Sequence, residues 1–276
     1  MSAPRVSLII PAWNEEAVLG STLRRYLPVL ESTCAEHEVL VVVDGAGDRT
    51  REIAESFQDR GVRVLSFTER LGKGGALRAG MNVTRHEIVG FVDADGPISA
   101  EDLGCLLAQM DRYDGAIGSR WVRGSRFAVR QPPFRVAIGR VWNFLVRILL
   151  GLNFADTQCG AKFFRANVLR PALAKVHVTN WAIDVAILFW VARSGGRLVE
   201  VPVTFTDRPE SKVTIRTAAP VMLATLLALR LDGSRWRGRR LDRLLHRLFL
   251  LARTRWPLAA WAVPEAKTVC VTERSR

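Results

Sequence analysis

The chain is poor in tyrosine, with two residues in 276, and it has only four each of cysteine, histidine and methionine. Cys34, Cys105, Cys159 and Cys270 show neither paired spacing nor a Cys-x-x-Cys, which argues against a disulfide framework and suits a reducing cytosol. His37, His86, His177 and His246 are scattered, and none stands at metal-ligand spacing from a cysteine, which argues against zinc. No apolar run reaches the roughly 20 residues that cross a bilayer core. The longest candidates, Phe144–Phe154 and Ala218–Leu229, are too short, and Arg147 interrupts the first. Neither a membrane-spanning helix nor a secretory leader ahead of the first strand pattern is expected.

Acidic residues are the minority, 27 against 40 lysines and arginines, for a formal charge of +13. More than half of that excess follows Leu229. There Leu241, Leu244, Leu245, Leu248 and Phe249 share one helical face, with Arg239, Arg240, Arg243 and Arg247 opposite. Such a helix either lies on a membrane surface or packs on its own domain with a solvated basic face. No aromatic stacking platform accompanies the arginines, so nucleic acid is not an expected partner. With 49% hydrophobic residues, the length fills one core and leaves a peripheral segment. The expected division is a domain over 1–215, a basic amphipathic helical extension over 216–256, and a weakly patterned tail over 257–276. Oligomeric state leaves no trace in the sequence.

Short apolar runs at Val6–Ile10, Val39–Val43, Val62–Phe67 and Ile88–Val92 read as strands, the first broken by Pro11. Helical segments follow, from Asn14 to about Leu30, Arg49–Arg60 and Ala76–Val83. This alternation predicts an α/β fold with a mostly parallel sheet covered on both faces. In such sheets ligands bind beyond the carboxyl ends of the strands. Asp44, Lys73, Asp93 and Asp95 all fall at or just beyond such ends.

Asp93 and Asp95 lie two apart after a buried strand, and in an extended segment they converge while Ala94 points elsewhere. Two carboxylates aimed together suit Mg²⁺ and a substrate diphosphate; the plainer reading is a polar Asp-Gly turn. Gly72-Lys73-Gly74-Gly75 lacks the phosphate-loop spacing and any Ser or Thr after the lysine. Lys73 and free N–H groups at a helix start can still meet an anionic nucleotide, or form a tight turn with a solvated lysine. Phe134–Leu152 is rich in apolar residues, with Arg140, Asn143 and Arg147 on one side at helical spacing. It reads as an interfacial helix whose Arg130, Arg135 and Arg140 meet lipid head groups or an acceptor phosphate, or else as a buried amphipathic helix.

Eight segments stand in the order seen in family-2 glycosyltransferases. They are Pro11-Ala-Trp-Asn-Glu15, Asp44-Gly-Ala-Gly-Asp48-Arg-Thr50, Gly72-Lys-Gly-Gly75, Asp93-Ala-Asp95, Gly118-Ser-Arg120, Asp156-Thr-Gln-Cys-Gly-Ala-Lys162, Trp181-Ala-Ile-Asp184 and Ser211-Lys212. The chain most resembles the polyprenyl-phosphate hexosyltransferases of that family, dolichyl-phosphate glucosyltransferases first and dolichyl-phosphate mannose synthases next. The resemblance implies a GT-A fold, a nucleotide-sugar donor, Mg²⁺ or Mn²⁺, a polyprenyl phosphate acceptor, and a peripheral enzyme on the cytoplasmic membrane face. UDP-glucose is favoured over GDP-mannose.

By the same resemblance, Pro11, Trp13 and Glu15 cradle the nucleoside, with Trp13 replacing a tyrosine. Asp44 contacts the base, although Val43 stands where an acidic residue usually precedes it. Asp93, Ala94 and Asp95 face the ribose, diphosphate and metal, and Pro97 stands where mannose synthases often carry a glutamine ligand. Lys73, Arg120, Arg208 and Lys212 approach the phosphates. Asp95, Asp184 and Arg120 carry the chemistry, Asp184 orienting the acceptor, balancing nearby arginines, or acting as a base toward a hydroxyl acceptor. The other readings left open are a same-fold enzyme acting on a soluble or other glycan acceptor and a non-catalytic membrane-surface adaptor.

Overall fold

The computed structural model describes residues 3–129, 132–206, 215–233 and 270–271. In chain order the elements are β1 (Arg5–Ala12), α1 (Leu19–Thr33), β2 (Glu36–Asp44), α2 (Thr50–Glu55), β3 (Val62–Phe67), α3 (Gly72–Asn82), β4 (Ile88–Val92), α4 (Ala100–Gln109) and β5 (Gly115–Ser119). They continue as β6 (Arg126–Val129), α5 (Pro133–Leu150), β7 (Ala161–Arg165), α6 (Ala166–Leu173), α7 (Ile183–Arg193), β8 (Leu198–Pro202), β9 (Thr204–Thr206), α8 (Ile215–Asp232) and β10 (Cys270–Val271).

Eight strands form one sheet in the order β10-β3-β2-β1-β4-β7-β5-β8. The block β3-β2-β1-β4 is parallel, β7 runs antiparallel to both β4 and β5, and β5 pairs in parallel with β8. The sheet is therefore mixed and mostly parallel, and its order reverses direction between β1 and β4, the place where open α/β sheets take ligands. β6 and β9 form a separate parallel pair.

The strand patterns explain why both faces are covered. Val6, Leu8 and Ile10 of β1 and Val39, Val41 and Val43 of β2 turn toward α1, α2 and α4. Ile9, Leu40, Val42, Val89 and Phe91 turn the other way, toward α3, α5, α6, α7 and α8. Period-two burial on both faces is the mark of a sheet between two helical layers. Glycine supplies one close approach, since a Cβ at Gly90 would lie 2.2 Å from the Phe163 ring on the neighbouring strand.

Several boundaries differ from the sequence expectation. β1 continues through Pro11, opposite Val42, because its pairing with β4 ends at Ile9 and leaves an edge-like place where proline is tolerated. α1 begins at Leu19, not Asn14, because Asn14 sits in the left-handed region at φ 52° and its side chain accepts the Gly47 N–H. α3 starts four residues early, at Gly72. α8 packs on α5 and buries Leu226 and Leu229 in the core, so the expected division at 215/216 falls at the start of a packed helix. The basic helix expected near 239–249 lies outside the described residues, as does 257–276 apart from Cys270 and Val271. Among the described residues, no helix is long and apolar enough to cross a membrane.

Candidate active site

Loops at the carboxyl ends of β1, β2, β3 and β4 meet at the reversal point. The two loops after β1 and β2 are sewn together: Glu15 N–H donates to Thr50 Oγ1 at 2.8 Å, Glu16 N–H to Asp48 Oδ2 at 3.1 Å, and Arg49 N–H to Glu16 Oε2 at 3.1 Å. Pro11 is the penultimate residue of β1, and Trp13 and Glu15 follow in this loop. Trp13 carries the exposed Arg70 guanidinium on its ring, 3.4 Å from the centroid. Arg70 was missed in the sequence, where nothing links it to a tryptophan 57 positions earlier.

Asp44 is buried, and its carboxylate accepts the N–H groups of Leu71 and, at 3.0 Å, Gly72. Burial pushes its pKa up, against the pull of those two donors and Arg70. Asp44 thus nucleates α3, which explains the early start of that helix. The Gly74 N–H goes to the Thr179 carbonyl at 2.9 Å, and a Cβ at Gly74 would lie 2.6 Å from the Thr179 backbone. Gly72 needs φ +75°. The glycine run therefore packs α3 against residues 179–181, and the Leu71, Gly72 and Gly74 N–H groups at the helix start are engaged within the protein.

Lys73 is turned inward, its side chain 8% exposed. Its Nζ lies 2.8 Å from Asp93 Oδ1 and 3.2 Å from Asp184 Oδ2, with the Trp181 ring 5.5 Å away. Burial alone would lower its pKa, but Asp184 and Asp93 outweigh it and hold the ammonium above its ordinary value. Asp184, in the first turn of α7, has no exposure and also pairs with the fully buried Lys162, Nζ to Oδ1 at 2.5 Å. Burial would raise the Asp184 pKa; Lys162 and Lys73 reverse this and hold it below the usual carboxylate range. The charges balanced by Asp184 are lysines, where arginines were expected. Lys162 belongs to a segment quoted for its resemblance, but its partner stands 22 positions away on another element.

Asp93 and Asp95 do not lie on an extended strand. β4 ends at Val92, and Asp93–Gly96 is a turn closed by Gly96 N–H to the Asp93 carbonyl at 2.9 Å, with Gly96 at φ +61°. Strand alternation therefore does not aim the pair, and Ala94 and Gly96 are buried while both aspartates are partly exposed. The turn is held from α1, where Arg25 donates to the Gly96 carbonyl at 2.7 Å and Tyr26 to the Ile98 carbonyl at 2.8 Å. Gly160 lies against it, its N–H-bearing neighbour Asp93 donating to the Gly160 carbonyl at 2.9 Å.

Arg120 follows β5 and grips Asp156 bidentately, Nε to Oδ2 at 2.6 Å and Nη2 to Oδ1 at 2.9 Å. Burial works against the Asp156 anion, but Arg120 holds its pKa below the usual carboxylate range. The arginine expected near phosphates is thus part of a clamp on the 154–158 loop. Glu200 accepts the Ala155 and Asp156 N–H groups at 2.8 and 2.9 Å. Asn143 of α5 donates to the Phe154 and Ala155 carbonyls at 2.8 and 2.7 Å and accepts from Thr157 Oγ1 at 2.8 Å. Asn143 therefore faces inward, correcting its expected place beside Arg140 and Arg147. Behind it, burial pushes the Cys159 thiol up to about 12.

The outward side of α5 is apolar. Phe134, Ile138, Val141, Phe144 and Ile148 are exposed, at 41–62%, and Leu223 and Leu227 of the adjoining α8 are exposed as well. Arg140 stacks on Trp121 at 5.2 Å, and Arg135 is half-buried at the start of the helix. Arg130, Arg208 and Lys212 lie outside the described residues.

Carboxylate oxygens at Asp93 and Asp95 are the hard donors that Mg²⁺ and Mn²⁺ take. Among the described residues no three His, Cys, Asp or Glu side chains gather around one point. A cation held here must complete its shell with diphosphate oxygens and water, as Mg²⁺ commonly does. Gly160 lets the Asp93 carboxylate lie close against it, since a Cβ there would lie 2.1 Å from Asp93 Oδ2. The donor set fits such an ion.

Residues 7–172 match glycosyl transferase family 2. Over 225 residues the chain is 36% identical to a dolichyl-phosphate beta-glucosyltransferase of Drosophila melanogaster, covering 76% of this chain and 69% of the relative. It is 37% identical over 218 residues to an undecaprenyl-phosphate mannosyltransferase of Micrococcus luteus, covering 76% and 88%. The fold resembles that of glucosyl-3-phosphoglycerate synthase from Mycobacterium tuberculosis, crystallised with Mn²⁺, UDP and phosphoglyceric acid. That likeness has a TM-score of 0.63 at 21% identity and covers 82% of this chain and 78% of the other.

Proposed function

The chain belongs to glycosyl transferase family 2, and from that premise we propose that it transfers a hexose, glucose in preference to mannose, from a nucleotide sugar to a polyprenyl phosphate. The observation that carries this reading is the exposed apolar face of α5, joined through Asn143 to the loop that lies against Asp93. A lipid tail is accommodated on that face while its phosphate reaches the donor site. The dolichyl- and undecaprenyl-phosphate relatives support the same acceptor class, and the glucosyltransferase relatives support glucose over mannose.

The donor diphosphate sits at the Asp93–Gly96 turn, with its nucleoside over Pro11, Trp13 and Glu15. Asp93 and Asp95 would hold Mg²⁺ or Mn²⁺, which supplies Lewis-acid stabilisation to the departing nucleoside diphosphate. Lys73 adds a fixed positive charge beside the same group, and such preorganised charge acts on the transition state without reorganising. An acceptor phosphate is already ionised near neutral pH, so no base is needed and positioning dominates. This agrees with Asp184, which two lysines hold as a poor proton acceptor. In-line displacement inverts the anomeric carbon and gives a β-linked product from an α-linked donor.

The apolar face of α5, with Arg140 at its edge, rests on a membrane surface, where an anionic cytoplasmic leaflet attracts the positive chain. The decisive experiment is transfer of labelled sugar from UDP-glucose, and in parallel GDP-mannose, to added polyprenyl phosphate with Mg²⁺. Label in the organic phase, lost in Asp95→Asn, is the expected result. Folded protein that binds a nucleotide sugar yet labels no lipid from either donor refutes the acceptor.

A further inference from the structure

Among the described residues, Lys162 is the one lysine or arginine with no exposed surface. Its ammonium meets the Cys159 carbonyl at 2.6 Å and Asp184 Oδ1 at 2.5 Å, beside the Phe91 ring at 5.3 Å. All three neighbours are themselves fully buried, so Lys162 touches no ligand. Nor does a core require it, because buried ion pairs are commonly replaceable by apolar side chains without loss of stability. What the pair does is geometric. Asp184 divides its oxygens between Lys162 on β7 and Lys73 on α3, and Lys73 divides its ammonium between Asp184 and Asp93. With Lys162 gone, Asp184 is a buried carboxylate with Lys73 as its remaining lysine, and the attraction draws Lys73 inward from Asp93.

We propose that Lys162 is a positioning residue for the donor site: by sharing Asp184 it holds Lys73 out toward Asp93, where the ammonium meets the diphosphate of a nucleotide sugar. The inference rests on the Asp93–Gly96 turn being the donor site. Its chain of contacts joins β7, α7, α3 and the end of β4, so a residue that never meets substrate sets where a phosphate-binding cation stands.

The test uses the full chain and two probes, UDP and GDP, with binding measured by calorimetry in EDTA and again with Mn²⁺. Lys162→Met is expected to unfold cooperatively and to weaken nucleotide binding about tenfold or more in both conditions, the range usual for residues that orient a binding group. Lys162→Met combined with Asp184→Asn removes both buried charges and the inward pull, so it recovers much of that affinity. Wild-type affinity in folded Lys162→Met overturns the proposal, and so does a double variant that folds but binds no better than Lys162→Met. A loss that follows only the folded fraction, with the folded protein binding normally, also overturns it. Failure of the donor-site reading looks different: wild type itself then binds neither nucleotide, with or without Mn²⁺.

Discussion

Replacing Gly160 by alanine puts a methyl carbon 2.1 Å from Asp93 Oδ2, 2.6 Å from its Cγ and 3.2 Å from its Cβ. Gly160 is not one of the glycines with positive φ, so the backbone accepts alanine and the effect falls on Asp93. To regain ordinary contact, Oδ2 must recede by about 1.3 Å, and the shift of the carboxylate disturbs the 2.8 Å pair that its other oxygen, Oδ1, makes with Lys73. The Asp93 side chain is 32% exposed and can swing toward solvent, so the overpacking cost stays near the low end, about 1 kcal/mol. In a chain of this size that lowers Tm by about 2–4 °C. A reacting group displaced by about 1 Å loses on the order of 100-fold in rate. The expected outcome is a nearly normal melting curve by circular dichroism together with a transfer rate lower by about two orders of magnitude. Wild-type transfer at an unchanged Tm refutes the placement of Asp93, and a rate that falls only with the folded fraction refutes its role.

Asn143→Ala removes the bonds to Phe154, Ala155 and Thr157 at about 1 kcal/mol each, so denaturant unfolding is expected to show a loss of about 2–4 kcal/mol. Asp156 and Asp184 have depressed pKa values, so their stabilisation is present above the unfolded carboxylate pKa and is lost as pH falls through their folded values. Acid titration of unfolding should show that loss below about pH 4. Arg120→Met leaves Asp156 buried without its main counter-charge and costs about 3–5 kcal/mol; the Asp156 contribution then changes sign, stability rising as pH falls through its raised folded pKa toward the unfolded value. Changing Phe134, Phe144 and Ile148 to serine alters stability by about 0.5 kcal/mol or less per site, since all three are exposed, while liposome sedimentation of the protein should fall at least tenfold. Unchanged sedimentation would remove α5 from the membrane contact.

The sequence by itself determined the layered α/β class, because the near-continuous apolar runs at Val6–Ile10 and Val39–Val43 leave apolar side chains on both faces and only helices on both sides can cover them. It also determined that Asp44, Lys73, Asp93 and Asp95 gather at strand ends, since chain order in a parallel sheet puts every second loop on one edge. The helical stretch at 134–152 was legible from period 3.6, and α5 spans Pro133–Leu150.

What each side chain faces was decided by contacts between distant segments. Asn143 shares helical spacing with two exposed arginines, yet the polar backbone of residues 154–157 draws it inward. Lys73 reads as a solvated or phosphate-facing lysine until α7 brings Asp184 beneath it. Asp44 and Arg120 read as ligand groups, and the structure spends both on fixing loops, at Leu71–Gly72 and at Asp156. The aspartate pair leaves the extended path because Gly96 permits a turn that Arg25 and Tyr26 then hold from α1. A local pattern reports which residues are polar and how they recur along one element. Buried charge demands a partner, and the partners of Lys73, Lys162, Asp184 and Asp156 come from elements far away in sequence, so only tertiary packing fixes which polar groups support the fold and which remain to meet a ligand.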